Sequence, residues 1–239
     1  MTNIWDAFET WLRACSSFEA FGLALAASLF ALIFSFIVYL VFARLPGHRV
    51  IPLSSSIRKY DLLCTAGAFF MNSFVAWIGW SLWQYNVIVF EEKSILLQVL
   101  DLVIMLGYMD FTMYLTHRMA HLKLPYQWVH EIHHRHDDVS LLSLFVLHPL
   151  EVFGFGLLIT GFAMVYTMSM SSFIVYLFLN LMYGTLGHLG LDIPKKTIRF
   201  FPLNLLSVSL FHGNHHTHVG SNFGFYTSVW DRLFKTYKA

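Results

Sequence analysis

The chain has 239 residues, of which 57% are hydrophobic and only 12% charged. A water-soluble domain carries about 25% charged residues, so this chain cannot cover a water-facing surface and reads as an integral membrane protein. Its net charge of +1 argues against nucleic acid as a partner.

The first nineteen residues hold Asp6, Glu9 and Glu19 against Arg13 alone. A secretory signal would begin basic, so none is expected. A membrane-crossing helix needs about 20 apolar residues. Residues 20–43 lie uncharged between Glu19 and Arg44 and form the first predicted span. Residues 62–90, uncharged between Asp61 and Glu91, form the second. Residues 94–116 form the third, interrupted by Asp101 and Asp110. Residues 152–191 contain no Asp, Glu, Lys or Arg, too long a run for one crossing and about right for two. The polar run TMSMSS (167–172) is the predicted turn of that hairpin. Cys15 and Cys64 sit in or beside apolar segments and imply packing rather than a disulfide. The expected fold class is all-α, a polytopic helical bundle of about four to five spans. Residues 1–100 supply N-terminal spans, continuous with a second half, 101–239, that carries the chemistry.

Lysine and arginine set the expected orientation. With the N-terminus outside, Arg44, Arg49, Arg58 and Lys59 fall in a cytoplasmic loop. Arg118, Lys123 and Arg135 fall in the next, and Lys195, Lys196, Arg199, Arg232, Lys235 and Lys238 in the tail. Only Arg13 and Lys93 land on the other side. This orientation puts every histidine cluster on the cytoplasmic face, in a helical cap.

The 13 histidines are clustered. THRMAH holds His117 and His121, HEIHH holds His130, His133 and His134, and FHGNHHTH holds His212, His215, His216 and His218. His188 stands alone in GTLGHLG. Residues four apart on a helix share a face, so His117 and His121 can present both rings to one ion. The i, i+3, i+4 trios His130/His133/His134 and His212/His215/His216 do the same with three rings each. One tetrahedral zinc needs at most four protein ligands. Eight clustered rings, nine with His188, suit two metal ions with open positions, and imidazole suits iron, zinc, copper or nickel. Lone histidines near apolar helix ends are ordinarily structural, which is the reading for His48; His136 and His218 stay open between the two roles.

These boxes resemble the fatty acid hydroxylase / sterol desaturase superfamily of membrane di-iron oxygenases. DFTMYLTHRMAH is similar to its first box, WVHEIHHRHDD followed by HPLE to its second, GHLG to its single-histidine motif, and HGNHHTHVGSNFGFYTSVWDRLFKT to its third. The resemblance covers residues 101–239. It implies His117, His121, His130, His133, His134, His188, His212, His215 and His216 as ligands of two iron ions. Asp110, His148, Glu151, Asn222 and Asp231 are the expected supports for those rings. Some members carry a tenth histidine where this chain has Gly184, a gap for water or His148 to fill. The implied reaction is hydroxylation or desaturation of a lipid C–H bond with O2. Electrons would come from a separate ferredoxin, or from a b-type cytochrome with its reductase. An aliphatic C–H offers no acid, base or leaving group, so a cofactor must carry the hard step. The substrate is expected to enter sideways from the bilayer, with residues 197–211 along the interface at the entrance.

Two other readings stand beside it. HEIHH satisfies H-E-x-x-H, the signature of a zinc protease with His130 and His134 on the metal and Glu131 as base; Asp192 would be a third ligand. That reading leaves six clustered histidines unexplained. A metal transporter would place its ligands near the bilayer midplane, whereas these lie at one end.

Overall fold

The computed structural model describes residues 4–44, 57–135, 142–189, 203–207 and 209–238. In chain order the helices are α1 (Ile4–Ala14), α2 (Ser17–Arg44), α3 (Lys59–Gln84), α4 (Ile95–Ala120) and the short turn α5 (Lys123–Pro125). A π-helical turn, Tyr126–His130, then runs into α6 (Glu131–His134). After these come α7 (Pro149–Val165), α8 (Met170–Gly187), α9 (Ser209–Thr217) and α10 (Val229–Leu233). Among the described residues there is no strand, only two isolated bridges.

Among the described residues, four helices are long and apolar enough to cross a membrane: Ser17–Phe42, Lys59–Gln84, Ile95–Ala120 and Met170–Gly187. The 17-residue α7 is shorter but equally apolar. The predicted spans fall on these helices with shifted ends. The second stops at Gln84, and residues 85–90 turn back instead. The third continues through Ala120, so His117 belongs to its last turn. The hairpin turn is residues 166–169, earlier than expected, because Ser169 caps α8 by accepting from the Ser172 amide, and residues 170–172 are already helical.

α2 turns Leu29, Phe30, Ile33, Ile37 and Leu40 outward, as a lipid-facing helix must. Two of its hydroxyls bond across to neighbouring helices. Ser28 accepts from Ser73 of α3 at 2.9 Å, and Ser35 pairs with Thr185 of α8 at 2.9 Å. Small hydroxyls that bond across helices hold bundles together where hydrophobicity cannot. α3 and α7 approach closely at Gly156, where a Cβ would run into Val75. Met105, Met109 and Met113 line one face of α4 and pack with Phe162, Met168, Tyr176 and Tyr226 in the core.

The α3–α4 loop and the α7–α8 turn meet at one end of the bundle, where Phe90 bridges to Met168. Asp101 explains why a carboxylate survives in an apolar helix there. It accepts from Lys93 Nζ at 2.8 Å, Tyr166 Oη at 2.8 Å and the Ser169 amide at 2.9 Å. The amphipathic α1 packs at the same end, with Trp80 Nε1 donating to the Leu12 carbonyl and Gln84 to that of Arg13. The histidines gather at the opposite end.

Removing a member of a buried ion pair leaves the other uncompensated. Asp101→Ala is expected to destabilise the protein by on the order of 3 kcal/mol, read as a fall in Tm in detergent. Asp101→Asn, which keeps part of the hydrogen bonding, should lose less.

Candidate metal centre

Five chain segments deliver the clustered histidines. α4 carries His117 in its last turn and ends at its cap residue, His121. The π-turn ends on His130, and α6 adds His133 and His134. His188 is the C-cap of α8, and α9 carries His212, His215 and His216. π-turns concentrate at functional sites because the wider turn re-aims a side chain.

The rings form two adjoining nests. In the first, one ring nitrogen from each of His117, His121, His130, His134 and His215 lies within 4.8 Å of the others. His215 Nε2 stands 3.1 Å from His121 Nε2 and 3.1 Å from His134 Nε2, which is 3.2 Å from His130 Nε2. His133, His188 and His212 form the second nest. His216 joins it through a 3.1 Å Nε2–Nε2 approach to His212 and links the two, its ring centroid 4.7 Å from that of His134.

Proton positions decide what these approaches mean. His117 Nδ1 lies 2.8 Å from the Phe223 carbonyl, His215 Nδ1 2.7 Å from the Ser221 carbonyl, and His130 Nδ1 2.7 Å from Glu151 Oε1. A carbonyl or carboxylate only accepts, so each Nδ1 carries the hydrogen, which leaves Nε2 as the nitrogen turned inward to bind an ion. At 3.1–3.2 Å each of these approaches is bridged either by a ring proton or by a cation. A metal–nitrogen bond of about 2.0–2.1 Å sets neighbouring ligand nitrogens about 3.0 Å apart at right angles, and the observed spacing matches. Two further ring nitrogens, Nδ1 of His133 and of His134, are buried without a hydrogen-bond partner. The donor set fits metal ions.

Burial keeps the rings neutral. It pulls His188 down to about 4; burial and the nearby His130 pull His121 down to about 3. Burial, then neighbouring imidazoles, hold His133, His134, His212 and His215 well below the usual imidazole range. A metal ligand must be deprotonated, and these are.

The expected supporting residues act at different removes. Glu151, in the first turn of α7, touches His130 directly. Asp231 accepts from the Phe223 and Gly224 amides at 2.9 and 2.7 Å, fixing the turn whose carbonyls orient His117 and His215. Asn222, at φ 62°, ties that turn to the C-terminal strap through both the amide and the carbonyl of Lys238. Gly224 is required there, since a Cβ would strike the Thr227 carbonyl oxygen. Asp110 sits further away, on α4, and accepts from Tyr226, Thr227 and Trp230. It clamps the C-terminal segment rather than touching a histidine.

His148 joins neither nest; its Nδ1 accepts from the Leu150 amide and caps the helix that bears Glu151. Gly184 faces Leu144 and Phe225, so apolar atoms fill the tenth-histidine position. Glu131 points away from the histidines to Arg135, 3.4 Å off, with both side chains exposed, which removes the base that a protease reading needs. His218 is exposed beside Thr217. His48, His136, Asp192 and most of 197–211 lie outside the described residues.

A cavity of about 480 Å³ opens onto His117, His130, His133, His188, His212 and Glu151. It runs between α3, α4, α7 and α8 to Trp80, Trp83 and Leu12 at the far end, through an almost wholly apolar lining.

The architecture defines a membrane-embedded helical bundle with a polyhistidine centre at one end. Residues 102–236 match the family model described as fatty acid hydroxylase, and the chain belongs to that family, within the fatty acid hydroxylase / sterol desaturase superfamily. It is 26% identical to a cholesterol 25-hydroxylase-like protein of Danio rerio, across 99% of this chain and 97% of the relative. It is 30% identical to methylsterol monooxygenase 1 of Danio rerio over 52% of this chain and 42% of that one. With a Delta(7)-sterol 5(6)-desaturase of Aspergillus fumigatus it shares 24% identity over 62% of this chain and 40% of the relative. No solved structure matches. The chain is therefore an oxidoreductase of a family that acts on sterols and fatty acids.

The depressed histidine pKa values give a pH dependence. Unfolded histidine binds a proton below about pH 6.5, whereas folded His188 and His121 resist until about 4 and about 3. The unfolded state then binds more protons, so stability falls with pH across that window. The metal-stripped protein in detergent is expected to lose Tm steadily from pH 6.5 towards pH 4; a Tm unchanged over that range would contradict buried neutral rings.

Proposed function

We propose that this protein is a membrane di-iron oxygenase that hydroxylates or desaturates an aliphatic C–H bond of a lipid, with a sterol as the leading substrate class. The observation that carries the reading is the junction of an apolar cavity with nine inward-facing imidazoles. His117, His121, His130, His134 and His215 would hold one iron; His133, His188, His212 and His216 the other. Bound iron supplies O2 activation, with electrons delivered from outside. The names of the relatives support a sterol or methylsterol substrate. Nine clustered imidazoles exceed what one zinc site uses.

The chain's own residues do the rest. Glu151 and the Ser221 and Phe223 carbonyls hold a proton on Nδ1 and keep Nε2 free, which orients the ring and raises its basicity. The apolar lining excludes water from the histidine end and admits a hydrocarbon. The lysine and arginine bias supports a cytoplasmic location for that end, where a ferredoxin, or a b-type cytochrome with its reductase, would dock. Both outcomes, hydroxylation and desaturation, start with removal of the same hydrogen.

Metal analysis and product analysis test this. The purified protein should retain a pair of irons per chain, and lipids from cells bearing it should gain one oxygen or lose two hydrogens. Glu151→Gln is expected to lower iron affinity or activity about 10–100-fold, whereas Glu131→Gln leaves both near wild type. Zinc in place of iron, or inactivation by Glu131→Gln, would overturn the reading.

A further inference from the structure

We propose that Asn72 of α3 and Asn180 of α8 form a hydrogen-bonding band across the cavity that grips an uncharged oxygen of the lipid and so sets which carbon reaches the histidines. The inference rests on the preceding reading of the cavity as the substrate site. Both residues lie in membrane-spanning helices and both line the cavity.

Hydrogen bonds between helices put them at one depth. Ser28 and Ser35 of α2 bond to Ser73 of α3 and Thr185 of α8 respectively. α3 runs antiparallel to α2, so Thr185 stands level with residue 66 of α3. About 9 Å further from the histidine end, Asn72 stands level with residue 179, beside Asn180. Along α8, Asn180 is about 12 Å from His188.

The amides are short of protein partners. Asn180 Oδ1 accepts from Tyr226 Oη at 2.5 Å, but no described residue meets its Nδ2. The Asn72 amide likewise has no partner among the described residues. Asn72 is exposed and Asn180 half-buried where they line the cavity, so both amides are open to a ligand, and polar groups inside the membrane ordinarily mark a ligand path. A pocket of apolar walls with a few convergent polar groups is how small molecules are oriented.

The chemistry of the lining selects the ligand. No Lys or Arg lines the cavity among the described residues, so nothing there compensates a carboxylate or phosphate. Carboxamides donate to and accept from a neutral hydroxyl or keto oxygen. The fitting ligand is an uncharged lipid with a single oxygen held about two helical turns from the histidine end, not one led in by a charged headgroup.

The test uses the iron-loaded protein in nanodiscs, with radiolabelled cholesterol and cholestane, its analogue lacking the hydroxyl, as probes. Wild type is expected to bind cholesterol about tenfold more tightly than cholestane. Asn72→Leu, which disturbs no protein hydrogen bond, should weaken cholesterol binding to the cholestane level and leave cholestane binding, iron content and Tm unchanged. Asn180→Leu should act in the same direction, with Tm reporting any cost from Tyr226. Equal binding of the two probes by wild type, or an undiminished preference in Asn72→Leu, overturns the proposal. A wild type that keeps the preference but, given O2 and an added electron donor, oxidises neither probe supports the band and counts against the oxygenase reading instead.

Discussion

The structure depends on keeping many imidazoles neutral, dry and turned inward at once. Free rings would not pack so; each would seek water or rotate to find a donor. Here the outward nitrogens of His117, His130 and His215 are committed to acceptors that cannot donate back. The inward lone pairs are thus set by covalent geometry and hydrogen bonding before any ion arrives. Burial adds to this by making the charged ring expensive. The result is a donor set pre-organised for a cation.

That arrangement requires a rigid frame, and the frame is distributed through the second half of the chain. The turn around Phe223 and Gly224 cannot drift because Asp231 holds both amides. The segment after it cannot drift because Asp110 accepts from the Tyr226 and Thr227 amides, the Thr227 hydroxyl and the Trp230 indole. Each carboxylate is matched by donors, which is the condition for tolerating it in an apolar bundle. At the opposite end Asp101 does the same for the loops. The cavity lies between these two fastened ends.

Much of this was legible in the residue spacing. The i, i+4 and i, i+3, i+4 patterns brought the histidines together because helical periodicity is local. Glu151 was legible only through the resemblance of HPLE to the segment after the family's second box. What escaped had no distinctive letter. The Ser221 and Phe223 carbonyls orient two rings, yet every residue has a carbonyl. The π-turn at 126–130 depends on how α4 and α7 pack around it, which no local pattern encodes. HEIHH was ambiguous for the same reason: only the direction of the Glu131 side chain, outward to Arg135, separates its two meanings. No spacing singles out Asn72 or Asn180; both come to notice only where they line the cavity. His148 carried a ligand-like letter but serves as a cap.

The shortness of α7 bears on the membrane itself. Its 17 residues extend about 26 Å along the axis, against a hydrocarbon core of about 30 Å. Lipids beside this hairpin must compress to meet it, at a modest cost that grows with each ångström of mismatch. The bilayer beside this hairpin is thus expected to be thinner than beside α2, α3 and α4, whose 28, 26 and 26 residues reach across the full core.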